Sequence, residues 1–377
     1  MTTMMDVPRG LAGVAVAETT VGDVRGEEGF YHYRQYDACE VARHRDFEAV
    51  WRLMIDGALP RDEAEHAAFA TEVGALRALP EPVDRVISAL APLGSPDAEL
   101  RAAMAALGGA RQLRPLTDLS AAQQRTDALA MAAAMPTAVA ALHRRRQGLE
   151  PIAPDAGRPV VEDYLRQLEG TDPDPVRVRA LEQYLITTID HGFNASTFTA
   201  RVVASTAADT GSAVVAALGA LSGPRHGGAP SRVLDLLDAV GTADRAGAWV
   251  RAELDAGRRI PGFGHAVYRT KDPRSQLMGE VANKIGGPRA AMAAEVEAAT
   301  LEELARRHPE RRLVTNVEFW AAIVLEQAGV PRPLFTSTFA VARVIGWTAN
   351  ILEQATDTKI IRPSAHYVGP EPSRNGR

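Results

Sequence analysis

The sequence predicts an all-α fold, and three observations carry that prediction. Alanine, leucine, glutamate and arginine dominate the 377 residues, and aromatics make up only 5%, a composition suited to helices. Apolar residues recur at helical spacing between recognisable caps. Strand signals are few and lie near the N-terminus.

There, Val21-Gly22-Asp23-Val24 and Gly29-Phe30-Tyr31-His32-Tyr33 read as two arms of a small hairpin around Gly26. Further along, Ser120-Ala121-Ala122-Gln123 has the capping-box form and opens an apolar run. That run ends in Arg144, Arg145 and Arg146 with Gly148 beyond, a good helix stop. Within it, Ala128–Leu142 is the longest uncharged apolar stretch; it contains Pro136, is too short to span a bilayer, and reads as a packed, kinked helix. The proline-rich stretch Leu149–Val161 reads as a surface loop, with a domain linker as the alternative. Asp174-Pro175 opens the next helix, with Val178, Leu181, Leu185 and Ile189 on one face. Helices are also expected over Gly211–Leu221, Arg232–Val240, Ala243–Ala256, Pro288–His308, Val317–Gln327 and Thr336–Gln354. The charges between Arg306 and Arg312 read as a solvated helix end and turn.

With 46% hydrophobic residues, the chain can bury one large core or two modest ones. A net charge of −5 and a pI of about 6.0 argue against nucleic-acid binding. The single cysteine, Cys39, permits no intrachain disulfide and fits a reducing compartment. Met1–Gly10 lacks the apolar segment of a secretory signal. A cytoplasmic protein with no membrane attachment is therefore expected.

Chemistry concentrates in three places. The first is Leu221-Ser222-Gly223-Pro224-Arg225-His226-Gly227-Gly228, a helix running into a turn where glycines flank one histidine. Such glycines permit unusual backbone angles and close approach of a ligand; the plainer alternative is a surface histidine. The second runs from Ile260-Pro261-Gly262-Phe263-Gly264-His265-Ala266-Val267-Tyr268-Arg269 to Asp272-Pro273-Arg274. It is no phosphate-binding Gly-rich loop of known spacing. Its cations suit an anionic ligand, since arginine grips a carboxylate by two bonds; alone, it would pass for a loop of solvated charge. The third is Asn316-Val317-Glu318-Phe319-Trp320, where Glu318 is the one charge in an apolar helix start. Burial raises a carboxyl pKa and a helix N-terminus lowers it, so Glu318 is either a base or an ordinary first-turn acid. The nine histidines are scattered, cysteines are unpaired, and no H-E-x-x-H or G-x-S-x-G occurs, so no metal site is expected.

Together these segments resemble the citrate synthase family, in the expected chain order. The two histidine motifs carry most of the resemblance. Gly26-Glu27-Glu28-Gly29, Tyr33-Arg34-Gln35-Tyr36-Asp37 and Ile361-Arg362-Pro363 resemble its N- and C-terminal signatures, so essentially the whole chain is covered.

The resemblance implies an all-α fold with a large domain (1–226 and 334–377) and a small one (227–333), closing over an interdomain cleft. It implies condensation of acetyl-CoA with oxaloacetate and water to give citrate and CoA, through an enolate and citryl-CoA, with no cofactor or metal. Glu318 matches the base, His226 the enolate stabiliser, and His265 the group that polarises the oxaloacetate ketone. His191, Arg274, Arg343 and Arg362 match oxaloacetate contacts, Arg362 reaching across a homodimer. Arg269 matches a position near the CoA phosphates, with Ile260 and Gly262 lining the adenine site. Propionyl-CoA, as in 2-methylcitrate synthase, is the nearest alternative donor, and a non-catalytic oxaloacetate- or CoA-binding paralogue the alternative of another class. Four departures stand out. The family normally has aspartate where Glu318 stands, often histidine at Thr188, glutamate at Gly192 and asparagine at Pro230. One extra methylene moves a carboxylate by about an ångström, enough to cost on the order of a hundredfold in rate if uncompensated.

Overall fold

The computed structural model of the protein describes residues 7–90, 94–224, 226–227, 230–265, 267–311 and 313–370. Arg225, Gly228 and Ala266 of the two histidine motifs, and Arg312, lie outside the described residues. The expected hairpin forms: β1 (Gly22–Arg25) pairs antiparallel with β2 (Phe30–Tyr33), Gly22 opposite Tyr33. A third strand, β3 (Tyr36–Asp37), adds to β2; two residues are too short to show a period.

The rest is helical. The first helices are α1 (Ala38–His44), α2 (Phe47–Asp56), α3 (Glu63–Leu76), α4 (Glu81–Leu90), α5 (Pro96–Ala110), α6 (Ala121–Arg146), α7 (Val160–Glu169) and α8 (Pro175–Thr188). They are followed by α9 (Ala195–Ala204), α10 (Thr210–Leu221), α11 (Pro230–Val240), α12 (Ala246–Asp255), α13 (Pro273–Ile285), α14 (Pro288–Arg307), α15 (Val317–Gln327) and α16 (Phe335–Gln354). Side chains fix many starts: Asp37, Asp46, Asp62, Asp174, Asn194, Asp209, Asp272 and Asn316 each accept from a backbone N–H of the first turn.

Both halves of the Ser120–Gln123 capping box are made. The helix α6 is continuous through Pro136, and every residue from Ala128 to Leu142 is buried. It packs on α16, α5 and α7, and α16 in turn packs on α9, α10, α8 and α2. The stretch expected as one helix over Ala243–Ala256 divides into a 3-10 turn, Ala243–Arg245, and α12. The Leu149–Val161 stretch is the connection from α6 to α7, held by Arg77, whose guanidinium donates to the carbonyls of Ala156 and Arg158. The helices α11 to α15 pack largely on one another and meet the remainder through α8, α16 and α1. The sheet is pinned to the end of α8: the phenols of Tyr31 and Tyr33 donate to the carbonyls of Thr187 and Ile186 at 3.1 and 2.8 Å.

One carboxylate joins the second and third motifs. Asp272 is 2% exposed and accepts four N–H groups. Oδ1 caps α13 through Arg274 N (3.1 Å) and takes Arg274 Nε (3.0 Å). Oδ2 takes the other arm of the guanidinium (2.9 Å) and the N–H of Val317, which opens α15 (2.9 Å). Removing it would leave a buried guanidinium unpaired. Asp272→Ala is expected to lower the unfolding free energy by about 3–5 kcal/mol, read from urea denaturation; a loss under about 1 kcal/mol would show that the site is held together elsewhere.

Candidate active site

A cavity of about 420 Å³ opens between α8, α16, α15 and the two histidine loops. His191, His226, His265, Arg274, Glu318 and Arg343 all line it. Residues from five separate stretches of sequence thus meet, three of them the segments in which the sequence concentrates its chemistry.

Glu318 is the second residue of α15, and its N–H is capped by Asn316 Oδ1 at 3.0 Å. Its carboxylate has no hydrogen-bond partner among the described residues. Burial pushes its pKa up to about 7, against the lowering effect of Arg274. The helix N-terminus does not win, because the apolar surroundings remove the water that would solvate the charge. The turn bearing Glu318 is braced by the second motif. Gly264 N donates to Val314 O at 2.8 Å, and Asn316 N to Gly262 O at 2.9 Å. Gly262 has φ +87°, and a Cβ there would meet Phe319 Cβ at 2.7 Å, so only glycine fits.

Burial has the opposite effect on the bases. His226 and His265 are each held down to about 4, and His191 well below the usual imidazole range, burial being the first cause and Arg343 or Arg274 adding to it. All three are neutral at pH 7. A neutral imidazole has one N–H, so its partners decide where that proton sits. His265 Nδ1 accepts from the backbone N–H of Val267 (2.9 Å) and Tyr268 (3.0 Å). The proton is therefore on Nε2. That nitrogen lies 3.2 Å from a guanidinium nitrogen of Arg274, which can only donate, so in this tautomer the two N–H groups crowd each other and the contact is no hydrogen bond. His226 Nε2 meets Ser196 Oγ at 2.8 Å. Ser196 Oγ in turn accepts from the Trp347 indole N–H at 3.1 Å. The one hydroxyl proton of Ser196 has two takers, His226 Nε2 and Asn194 Oδ1 at 2.8 Å; where it goes to His226, the ring carries its proton on Nδ1.

Arg343 is 1% exposed, with Nε on the carbonyl of Thr188 at 2.9 Å and its guanidinium over the Phe339 ring. Nearby Asp190 is buried and pushed up to about 6 in spite of Arg343. Two of the unusual residues now have a structural account. Thr188 bonds back to the carbonyl of Tyr184 in its own helix at 2.9 Å, so its hydroxyl is already engaged. Gly192 has φ +58°, and a Cβ there would sit 3.3 Å from Val24 of β1, so a glutamate would be strained and crowded.

The remaining expected residues lie outside this cavity. Ile260 lines a second cavity of about 500 Å³, which shares Gly264 and His265 with the first. Arg258, Arg259, His308 and Arg311 line it too. The sequence reading missed these residues: Arg258-Arg259 directly precede the second motif, and the 306–312 segment, expected as a solvated turn, sends His308 and Arg311 into this wall. Arg307 instead pairs with Asp255 and Glu303. Arg269 lines neither cavity; its side chain is exposed, 4.0 Å from Glu27. Arg362 lies on the extended C-terminal segment. Its neighbour Ile361 donates to Ser205 Oγ, just beyond the end of α9 opposite Ser196, so within its own chain Arg362 lines neither cavity. Among the described residues no group of three His, Cys, Asp or Glu side chains could hold a metal ion, and no helix is long and apolar enough to cross a membrane.

Comparison with known proteins agrees with this geometry. A family model described as citrate synthase, C-terminal domain, matches residues 10–364. A citrate synthase of Haloferax volcanii is 37% identical, over 97% of this chain and 96% of that one. A 2-methylcitrate synthase of Mycobacterium tuberculosis is 36% identical, over 97% and 91%. A solved citrate synthase of Thermoplasma acidophilum, in ternary complex with carboxymethyl coenzyme A and oxaloacetate, superposes with a TM-score of 0.90 at 26% identity, covering 98% of each chain. With its helical fold, its two glycine-flanked histidines and its buried acid in one cavity, the chain belongs to the citrate synthase family.

Proposed function

We propose that the protein condenses acetyl-CoA with oxaloacetate and water to give citrate and CoA. The observation that carries this reading is the cavity itself: a carboxyl poised near pH 7 faces two neutral histidines and two buried arginines. The Thermoplasma relative's ligands, a CoA analogue and oxaloacetate, support the same substrates.

Each group has a task that its surroundings suit. Glu318 takes a proton from the methyl group of the thioester. A base whose pKa lies near the working pH is well matched to such a step. His226 donates from Nδ1 to the thioester oxygen as it gains charge; a pre-aligned donor in a dry site stabilises that charge most. The enolate carbon then bonds to the ketone carbon of oxaloacetate. His265 and Arg274, neighbours in the cavity wall, bind the ketone oxygen, and His265 Nε2–H supplies the proton that the new alkoxide takes. Arg343 and Arg274 hold the carboxylates. Water hydrolyses citryl-CoA, breaking the thioester and releasing CoA. The adjoining cationic cavity, with Ile260, Arg259 and Arg311, holds the nucleotide end of CoA; no cofactor is required. Arg362 completes the acceptor site from the second chain of a homodimer, and the 227–333 segment closes as a small domain over the rest, excluding water.

Oxaloacetate-dependent thiol release tests this directly, with acetyl-CoA and propionyl-CoA compared. Faster release with acetyl-CoA is expected; a preference for propionyl-CoA would reassign the donor, and no release with either would make the chain a binding protein. Glu318→Gln is expected to lower kcat by about 10²–10⁴, and full turnover would remove Glu318 as the base.

The same substitution has a stability signature. Above pH 7 the folded protein holds a charge that its surroundings disfavour; below about pH 4.5 the acid is protonated in both states and the penalty vanishes. Glu318→Gln should therefore raise Tm at pH 8, and the gain should disappear by pH 4. Equal Tm values at pH 8 would contradict the raised pKa.

A further inference from the structure

We propose that Tyr268 is a positioning residue whose phenol O–H donates to His191 Nε2, fixing the His191 proton on Nδ1 and making His191 a neutral hydrogen-bond donor to the acceptor substrate. This rests on the function proposed above.

The phenol oxygen of Tyr268 lies 3.0 Å from His191 Nε2. Tyr268 is 2% exposed, and among the described residues its oxygen has no other partner. Two arrangements of the shared proton are conceivable. If Nε2 carried a proton, the phenol would accept, and its own O–H would be buried with nowhere to go. A buried donor left unmade forfeits its full hydration, whereas a made bond is nearly neutral. The phenol therefore donates. Nε2 is then bare, and a neutral ring must hold its proton on Nδ1. Burial, with the cations Arg274 and Arg343 and the ring of His265 nearby, keeps His191 neutral. His191 lines the cavity, and Nδ1 has no hydrogen-bond partner among the described residues, which leaves its N–H free for a substrate there. A bare nitrogen there would repel a carboxylate or a ketone oxygen; an N–H attracts it.

Tyr268 is itself held firmly. Its ring lies 4.8 Å from that of His265 and 5.4 Å from that of His191, centre to centre. The Arg274 guanidinium sits 5.7 Å from the same ring. The next residue, Arg269, donates its backbone N–H to Gly26 O at 3.1 Å, which ties the loop to the N-terminal sheet. One residue thus sets two histidines: its backbone N–H makes His265 a donor from Nε2, and its phenol makes His191 a donor from Nδ1. No motif reading of the sequence separates this tyrosine from its neighbours, because its role depends on a histidine 77 positions away.

The ring-nitrogen NMR spectrum of ¹⁵N-histidine-labelled protein, assigned with His191→Gln, reads the tautomer without any assumption about activity. Nδ1–H is expected in the natural protein, with a shift towards Nε2–H in Tyr268→Phe. Nε2–H in the natural protein, or an unchanged tautomer in folded Tyr268→Phe, would overturn the inference. Kinetics give the second arm. Tyr268→Phe should raise KM for oxaloacetate about tenfold with a smaller change in kcat, and should add nothing in a His191→Ala background. Fully additive effects would show that Tyr268 acts on something other than His191. A natural protein that neither binds oxaloacetate nor releases CoA would defeat the proposed function instead, and the spectrum would still decide the tautomer.

Discussion

Four N–H groups converge on the carboxylate of Asp272, and the geometry of the site depends on that convergence. The same two oxygens cap α13, grip the guanidinium of Arg274 and hold the first N–H of α15. Arg274 and Glu318 come from different segments, yet a single buried anion fixes the spacing between them. Such an anion is tolerable in a dry interior because charge-assisted bonds replace its lost hydration. The glycines of the second motif complete the frame, since only a chain without a side chain at Gly262 can lie against Phe319. Glu318 and Arg274 are therefore mounted on one rigid corner.

Desolvation then does two things at once. It disfavours whichever form of a group is charged. For Glu318 that means a pKa near 7; for the histidines it means values near 4 or below. A base available near neutral pH and a set of uncharged donors thus follow from a single property of the cavity. The extra methylene of Glu318 lengthens the reach of the base, while Thr188 turns its hydroxyl back on its own helix. Both features depart from the pattern that the family usually shows.

Much of this was legible in the sequence because local chemistry announced it. The capping box at Ser120, the N-terminal hairpin and the helices over Pro288–Arg307 and Val317–Gln327 follow from caps and periods that act within a few residues. The two histidines of the motifs drew attention through their flanking glycines, the second only because the first stood beside it. Other features were hidden because they depend on distant partners. The helix α13 lay inside a stretch read for its charges. The wall of the second cavity joins Arg258-Arg259 to His308 and Arg311, about fifty positions apart. His191 and Arg343 are marked in the sequence by the family resemblance alone; no local signal sets them apart until the fold brings α8 and α16 together. The four bonds of Asp272 and the phenol of Tyr268 are likewise properties of the assembled chain.

The central claim is that one buried carboxyl, held near neutrality by its surroundings, serves as the base. The most direct measurement is the titration of Glu318 itself, by difference infrared spectroscopy of the natural protein against Glu318→Gln across pH 4 to 9. A carboxylate band appearing with a midpoint near pH 7 is the predicted result. A midpoint near the ordinary glutamate value of about 4.3 would contradict it, because the cavity would then be solvating a charge that it is argued to repel.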